Sequence, residues 1–207
     1  INSVFDGFSG TTRVSQALAQ RGYQVTSNDI SDWSYVFGVC YLKNRKSASS
    51  YQELIDHLNA MQGVDGWFTE NYGGYDHAGS SVQVDGLKKP WQRHNTRKLD
   101  AIRDEIDRLS LNEIEKCIAL TSLIMAMDQV DNTLGHFTTY LKNWSSRSYK
   151  EMRLQEPKIF ENTQDNTVIK GDIFDSLNSV NVDFAYFDPP YGSNNEKMPP
   201  SRVRYAS

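Results

Sequence analysis

Residues 3–29 read SVFDGFSGTTRVSQALAQRGYQVTSND, and their order sets the fold. SVFD (3–6) predicts a short strand and GFSG (7–10) a glycine turn. TTRVSQALAQRG (11–22) predicts a helix, with Val14 and Leu18 on one face and Gly22 just past its end. YQVTSND (23–29) predicts a second strand, and ISDWSYVFGVCYLKN (30–44) a second, mostly buried helix. Strands and helices alternating through short links are the pattern of a parallel, doubly wound sheet.

Two further strands return near the end of the chain, in NTVIKGD (166–172) and VDFAYFD (182–188). The intervening stretch has a different character. SYQELIDHLNAM (50–61) predicts a helix opened by a Ser50–Glu53 capping box, and residues 63–91, rich in Gly, Asp and aromatics, read as loop. TRKLDAIRDEIDRL (96–109) places Leu99, Ile102, Ile106 and Leu109 on one helical face. SLNEIEKCIALTSLIMAMDQV (110–130) follows, with a second box from Ser110 to Glu113 and a stripe through Leu111, Ile114, Ile118 and Met125. The expected organisation is an α/β core from residues 1–44 and 161–207, interrupted by a largely helical insert at 45–160.

The 207 residues suffice for one domain with an elaborated insert. No apolar run approaches the roughly 20 residues of a membrane span, and the start carries no signal-peptide pattern. A soluble protein is expected. Cys40 and Cys117 stand far apart in apolar helical segments, which reads as buried thiols in a reducing cytoplasm. The four histidines show no metal-binding spacing, so no metal is predicted. The net charge of -4 speaks weakly against a nucleic-acid partner, but its distribution reverses that. Residues 88–103 carry Lys88, Lys89, Arg93, Arg97, Lys98 and Arg103 against Asp100 alone. A local basic patch matters more for phosphate binding than the total.

The strand ends carry the chemistry, because ligands of doubly wound sheets sit just beyond the carboxyl ends of the strands. The last strand ends in Asp188-Pro189-Pro190-Tyr191-Gly192. The prolines lack N–H groups and have fixed φ, leaving carbonyl acceptors on a stiff backbone. A carboxylate, a carbonyl and a flat ring suit a planar group bearing an –NH2, although Pro-Pro-Tyr also occurs in ordinary loops. The glycine turn is expected to bring backbone N–H groups close to a ligand at a helix N-terminus, though it is neither G-x-G-x-x-G nor a P-loop and also reads as a plain tight turn. Asp29 ends the second strand about 20 residues later, where an acid takes ribose hydroxyls; a helix cap is the alternative. Asp172 ends the third strand as a cap or as an acceptor for a ring amino group, with Ile173 packing on the ring.

Together, Phe5-Asp6-Gly7-Phe8-Ser9-Gly10-Thr11, Ser27-Asn28-Asp29-Ile30, Gly171-Asp172 and Asp188-Pro189-Pro190-Tyr191 resemble the Dam-like, alpha-class DNA adenine-N6 methyltransferases. WQRHNTRKLDAIRDEI and DNTLGHFTTYLKNW are similar to the modification methylases of the FokI kind. The resemblance implies a Rossmann-like core using S-adenosyl-L-methionine. Asp6, Phe8, Ser9, Gly10 and Thr11 would line the methionine end, Asp29 and Ile30 the ribose, and Asp172 with Ile173 the donor adenine. Asp188, Pro189, Pro190 and Tyr191 would hold a target adenine flipped out of duplex DNA. The insert would recognise the target, with Lys88, Lys89, Arg93, Asn95, Arg97 and Lys98 as DNA contacts and Gln92 and His94 as further base readers; a charge run is also simply a solvated face.

A restriction-modification setting follows from the resemblance, with a cognate endonuclease in the same system and a prokaryotic or phage-encoded cytoplasmic protein. The family also has an upstream element and further strands. A chain opening on a strand without Met and ending 16 residues after Tyr191 is therefore expected to be part of a longer protein or a truncated homologue. The competing functional readings are an amino-methyltransferase acting on RNA, cytosine or protein, and a non-catalytic DNA binder.

Overall fold

A computed structural model describes residues 1–135 and 139–190. The chain divides into two units, one built from residues 1–47 and 158–207, the other from 48–157.

In the first unit β1 (Ser3–Asp6), β2 (Gln24–Asp29), β5 (Thr167–Lys170) and β6 (Phe184–Tyr186) form a four-stranded sheet in the order β5-β2-β1-β6. Every pairing is parallel, with Phe5 facing Thr26 on one side and Ala185 on the other. This is the parallel α/β sheet expected from the strand–helix alternation. β1 and β2 are central, and Val4, Phe5 and Val25 are buried, each contributing about 1.5–3 kcal/mol by leaving water. α1 (Arg13–Gln20) returns the chain from β1 to β2, and Ala19 and Val25 pack with Leu42. α2 (Asp32–Gly38) runs into a π-helical turn, Val39–Lys43, which is buried as expected except at Lys43. α7 (Ile173–Leu177) follows β5.

One expectation changes here. The apolar run ending in Phe187 reads as a buried strand, but β6 is one of the two outer strands among the described residues, and Phe184 is 49% exposed. Its apolar character serves one face and its pairing with β1.

The chain leaves and re-enters this unit at a stapled point. The Leu42 carbonyl accepts from the side-chain amides of both Asn162 (2.7 Å) and Asn166 (3.3 Å). Asn166 Oδ1 in turn accepts from the Val25 N–H at 2.7 Å, and the Arg45 guanidinium donates to the Gln164 carbonyl.

The second unit is helical around α3 (Gln52–Ala60), α4 (Trp67–Tyr72), α5 (Arg93–Arg108) and α6 (Glu113–Asp128), with a two-stranded pairing of β3 (Gly73–Gly74) and β4 (Trp91–Gln92). Ile55, Leu58, Leu99, Ile102, Ile106 and Leu123 anchor its core. Both predicted helix starts move. α3 begins through a 3-10 turn with Tyr51 as N-cap, without a side-chain cap bond. The capping box of α6 is Asn112–Glu115, not Ser110–Glu113. α4 lies inside the expected loop because its cap comes from elsewhere: the Asp100 carboxylate of α5 accepts from the N–H groups of Phe68 (3.1 Å) and Thr69 (2.8 Å), satisfying orphan donors of its first turn. Phe68 packs against the core while Trp67 is 67% exposed. Cys40 and Cys117 are buried thiols. No helix among the described residues is long and apolar enough to cross a membrane.

Candidate active site and basic surface

Four parallel strands bring four carboxyl ends to one edge of the sheet. A cavity of about 620 Å³ lies there, lined by Phe8 and Gly10 after β1, by Asp29 to Trp33 after β2, by Asp172 and Ile173 after β5, and by Asp188 and Pro190 after β6. The volume is that of a small-molecule site.

The glycine turn is held from below. Ser9 donates its N–H to the Asn28 carbonyl at 2.9 Å, Gly7 to the Tyr186 carbonyl at 3.0 Å, and Gly10 to Asp29 Oδ2 at 2.9 Å. These three amides are thus committed to protein acceptors, which corrects the expectation that they face a ligand; the turn supplies shape. Gly10 has φ +48 and Thr12 φ +60, a left-handed conformation that costs a non-glycine residue about 1–2 kcal/mol. Thr12 is kept there by bonds from its N–H to the Ser9 carbonyl, from its hydroxyl to the Thr11 carbonyl and from Gln16 Nε2 to its Oγ1. Gly7, Phe8 and Gly10 line the cavity, whereas Asp6, Ser9 and Thr11 do not.

Asp6 lies buried beneath the turn. Its Oδ2 accepts from the Ser15 hydroxyl at 2.6 Å, and its Oδ1 is buried without a hydrogen-bond partner. Burial pushes its carboxyl above the ordinary value, the Ser15 bond opposes this, and the Asp29 charge adds to it.

Asp29 lines the cavity but does not itself cap α2: its Oδ1 accepts from the N–H (3.0 Å) and hydroxyl (2.5 Å) of Ser31, which is the N-cap. Asp172 does cap its helix, α7, by accepting from the Phe174 N–H at 2.9 Å, and lines the cavity beside Ile173. Ile30 is 62% exposed on the same wall. Asp188, Pro189 and Pro190 are exposed. Tyr191 lies outside the described residues.

Two contributors escape sequence reasoning. Trp33, in the first turn of α2, adds an aromatic wall. Asn28 is 1% exposed; its Nδ2 donates to the Gly7 carbonyl at 3.1 Å and its Oδ1 accepts from the Ser176 hydroxyl at 2.7 Å. It joins the turn after β1 to α7. The only signal for it is its place beside Asp29 at a strand end.

In the helical unit the basic run separates into different roles. Asn95 is 3% exposed, donating to the Lys150 carbonyl at 2.8 Å and accepting from the Met152 N–H at 2.7 Å. Lys98 donates to the carbonyls of Asn59 and Met61, closing the C-terminal end of α3, and burial lowers its pKa. Gln92 is buried and His94 Nε2 lies 3.3 Å from the Lys150 carbonyl. Asn95 and Lys98 therefore hold the fold, contrary to their expected DNA contacts. Arg93 and Arg97 both pair with Asp65, at 2.7 and 3.1 Å, and Arg93 also lies over the Tyr75 ring. Lys89 donates to the Asn71 carbonyl at 2.7 Å, and Lys88 is exposed. Lys88 pairs with Val82 across a hairpin whose tip exposes Val84 (97%) and Leu87 (60%).

The model of the D12 class N6 adenine-specific DNA methyltransferases matches residues 1–199. The chain belongs to this family. It is 32% identical over 200 residues to modification methylase StsI of Streptococcus sanguinis, covering 91% of this chain and 29% of the relative. Type II methyltransferase M.NlaIII of Neisseria lactamica is 28% identical, covering 91% and 55%. Type II methyltransferase M.FokI of Planomicrobium okeanokoites is 26% identical, covering 90% and 30%. The chain thus spans about a third to half of these relatives. No solved structure matches it. Within this D12-class chain, the strand-end motifs that carried the resemblance are the segments that border the cavity.

Proposed function

We propose that this chain forms the donor- and adenine-binding part of a site-specific DNA adenine-N6 methyltransferase from a Type II modification system, with S-adenosylmethionine as donor. The observation carrying this reading is the convergence of Asp29, Asp172, Ile173, Asp188 and Pro190 on one cavity.

The residues present fit such a donor. Asp29 retains an acceptor site on Oδ2 for a ribose hydroxyl while it accepts once from Gly10 and twice from Ser31. Ile173 and Trp33 offer apolar faces to a purine, and Asp172 an acceptor for its amino group. When bound, S-adenosylmethionine supplies an electrophilic methyl carbon on a sulfonium.

The chain's own residues act on the acceptor. An adenine amino nitrogen shares its lone pair with the ring. The Asp188 carboxylate and the Pro189 carbonyl accept its two N–H bonds and favour a more tetrahedral nitrogen with an available lone pair. Positioning and electrostatics supply the acceleration, without a covalent enzyme intermediate. The target base must leave the duplex to reach these acceptors, and Tyr191 is the ring that would stack on it. Lys88, Lys89, Arg93 and Arg97 remain the DNA contacts of this reading; Arg93 and Arg97 would exchange Asp65 for phosphate.

The test is incubation of the full-length protein with labelled S-adenosylmethionine and duplex DNA, followed by nucleoside analysis. Label in N6-methyladenine is the expected result. Label in cytosine, RNA or protein, or donor binding without transfer to any DNA sequence, overturns it.

A further inference from the structure

Gly7 is the point where three strand ends crowd together. A Cβ placed on it would lie 2.7 and 2.8 Å from Cδ1 and Cε1 of the Phe187 ring and 2.9 Å from Cδ1 of Ile173. Its backbone is not in the left-handed region, unlike that of Gly10, so glycine at position 7 answers a demand for space alone. Nor does its N–H serve a ligand, since the Tyr186 carbonyl takes it. The two crowding side chains differ in freedom. Ile173 approaches with the far end of a flexible chain and yields by a rotamer change. The Phe187 ring is packed edge-on against Phe5 (6.1 Å) and Phe8 (6.4 Å), so a methyl group at position 7 drives it off that seat.

Phe187 immediately precedes Asp188. A shift of its ring that side-chain rotation does not absorb is passed to the backbone that carries the Asp188 carboxylate and the Pro189 carbonyl. We propose that Gly7 and Phe187 are a pair of positioning residues for the methyl acceptor: the bare α-carbon in the turn after β1 seats the Phe187 ring, and that seat fixes where Asp188 and Pro189 stand relative to the donor side of the cavity. This rests on the methyltransferase reading above. It gives Gly7 a role toward the acceptor, and it predicts that a substitution at this position in the glycine turn damages transfer more than donor binding.

The test compares Gly7→Ala, Phe187→Leu and the double variant in the full-length protein. Donor affinity is read by calorimetry, transfer by single-turnover rate on duplex DNA, and packing by thermal unfolding. Gly7→Ala keeps the donor Kd within about 3-fold but slows transfer by about 30- to 100-fold, as a misplacement of roughly 1 Å does. The smaller side chain in the double variant restores at least about 10-fold of that rate and raises the unfolding temperature above that of Gly7→Ala, although Phe187→Leu alone lowers both.

Equal losses of donor affinity and rate in Gly7→Ala, with no recovery in the double variant, assign Gly7 to the donor site and overturn the proposal. Recovered unfolding temperature without recovered rate leaves only a packing role and also overturns it. A wild-type protein that binds donor but methylates no adenine removes the functional reading and the positioning role together, while the unfolding temperatures still report whether positions 7 and 187 collide.

Discussion

Asp29 Oδ2 accepts the N–H of Gly10 at 2.9 Å, so the acid at the end of β2 holds the glycine turn at the end of β1. One carboxylate both lines the cavity and sets the shape of its neighbouring wall. Replacing Asp29 by Ala should therefore weaken donor binding by about 10- to 100-fold, the equivalent of losing one or two hydrogen bonds to a charged group. Titration calorimetry with S-adenosylmethionine measures this. An unchanged affinity would remove Asp29 from the donor site.

Asp188→Ala should separate binding from transfer. The carboxylate lies at the end of β6 and is assigned to the acceptor amine, so the transfer rate should fall by at least about 100-fold. Donor affinity should stay within about 2-fold of wild type, since the missing hydrogen bond is one to the target base and none is made to the donor. Loss of donor binding would mean that Asp188 supports the cavity itself.

The basic residues should divide into two groups. Neutralising Lys88 and Lys89 should lower the slope of log K against log salt for DNA binding by about 0.9 for each phosphate that these side chains neutralise. Lys98→Ala should leave that slope unchanged and lower stability by about 1–2 kcal/mol, because its ammonium donates to the Asn59 and Met61 carbonyls. Salt titrations and denaturant unfolding of the three variants check both statements.

A pH test addresses the helical unit. Glu105, 5% exposed, accepts from Arg108 Nε and Nη2 at 2.6 Å each, and its Oε1 lies 2.6 Å from His57 Nε2. The bonds from Arg108, then His57, hold its carboxyl down at about 2 against an ordinary 4.5. A depressed carboxyl stabilises the fold fully above its unfolded value and loses that contribution as pH falls through its folded value. Glu105→Gln should thus lower the unfolding temperature at pH 7, and the gap to wild type should close between about pH 4.5 and 2. Circular-dichroism melts across that range measure it; a constant gap would show that the loss arises from packing.

The legible parts of this chain are those encoded locally. The run from Ser3 to Asp29 contains its own strand, turn, helix and strand, and the four strand-end motifs announce the cavity because parallel strands all end on one edge. What stays hidden depends on partners distant in sequence. α4 reads as loop because Asp100, some 30 residues downstream, caps it. Arg93 and Arg97 read as open cations because Asp65 lies 28 residues before the first of them. Asn95 and Lys98 sit in a basic run, yet one faces the 150–152 segment and the other the end of α3. The stretch SLNEIE offers two boxes of equal spacing, Ser110–Glu113 and Asn112–Glu115; spacing alone does not choose between them.

The Leu42 carbonyl, bonded at once by Asn162 and Asn166, has an engineering consequence. The outgoing and returning connections of residues 48–157 are fastened to each other inside the sheet unit. That fastening gives a place to cut and rejoin the chain. A chimaera that keeps Leu42, Asn162 and Asn166 and grafts the corresponding stretch of another D12-class chain between them should preserve the sheet, because the graft junctions fall outside the staple.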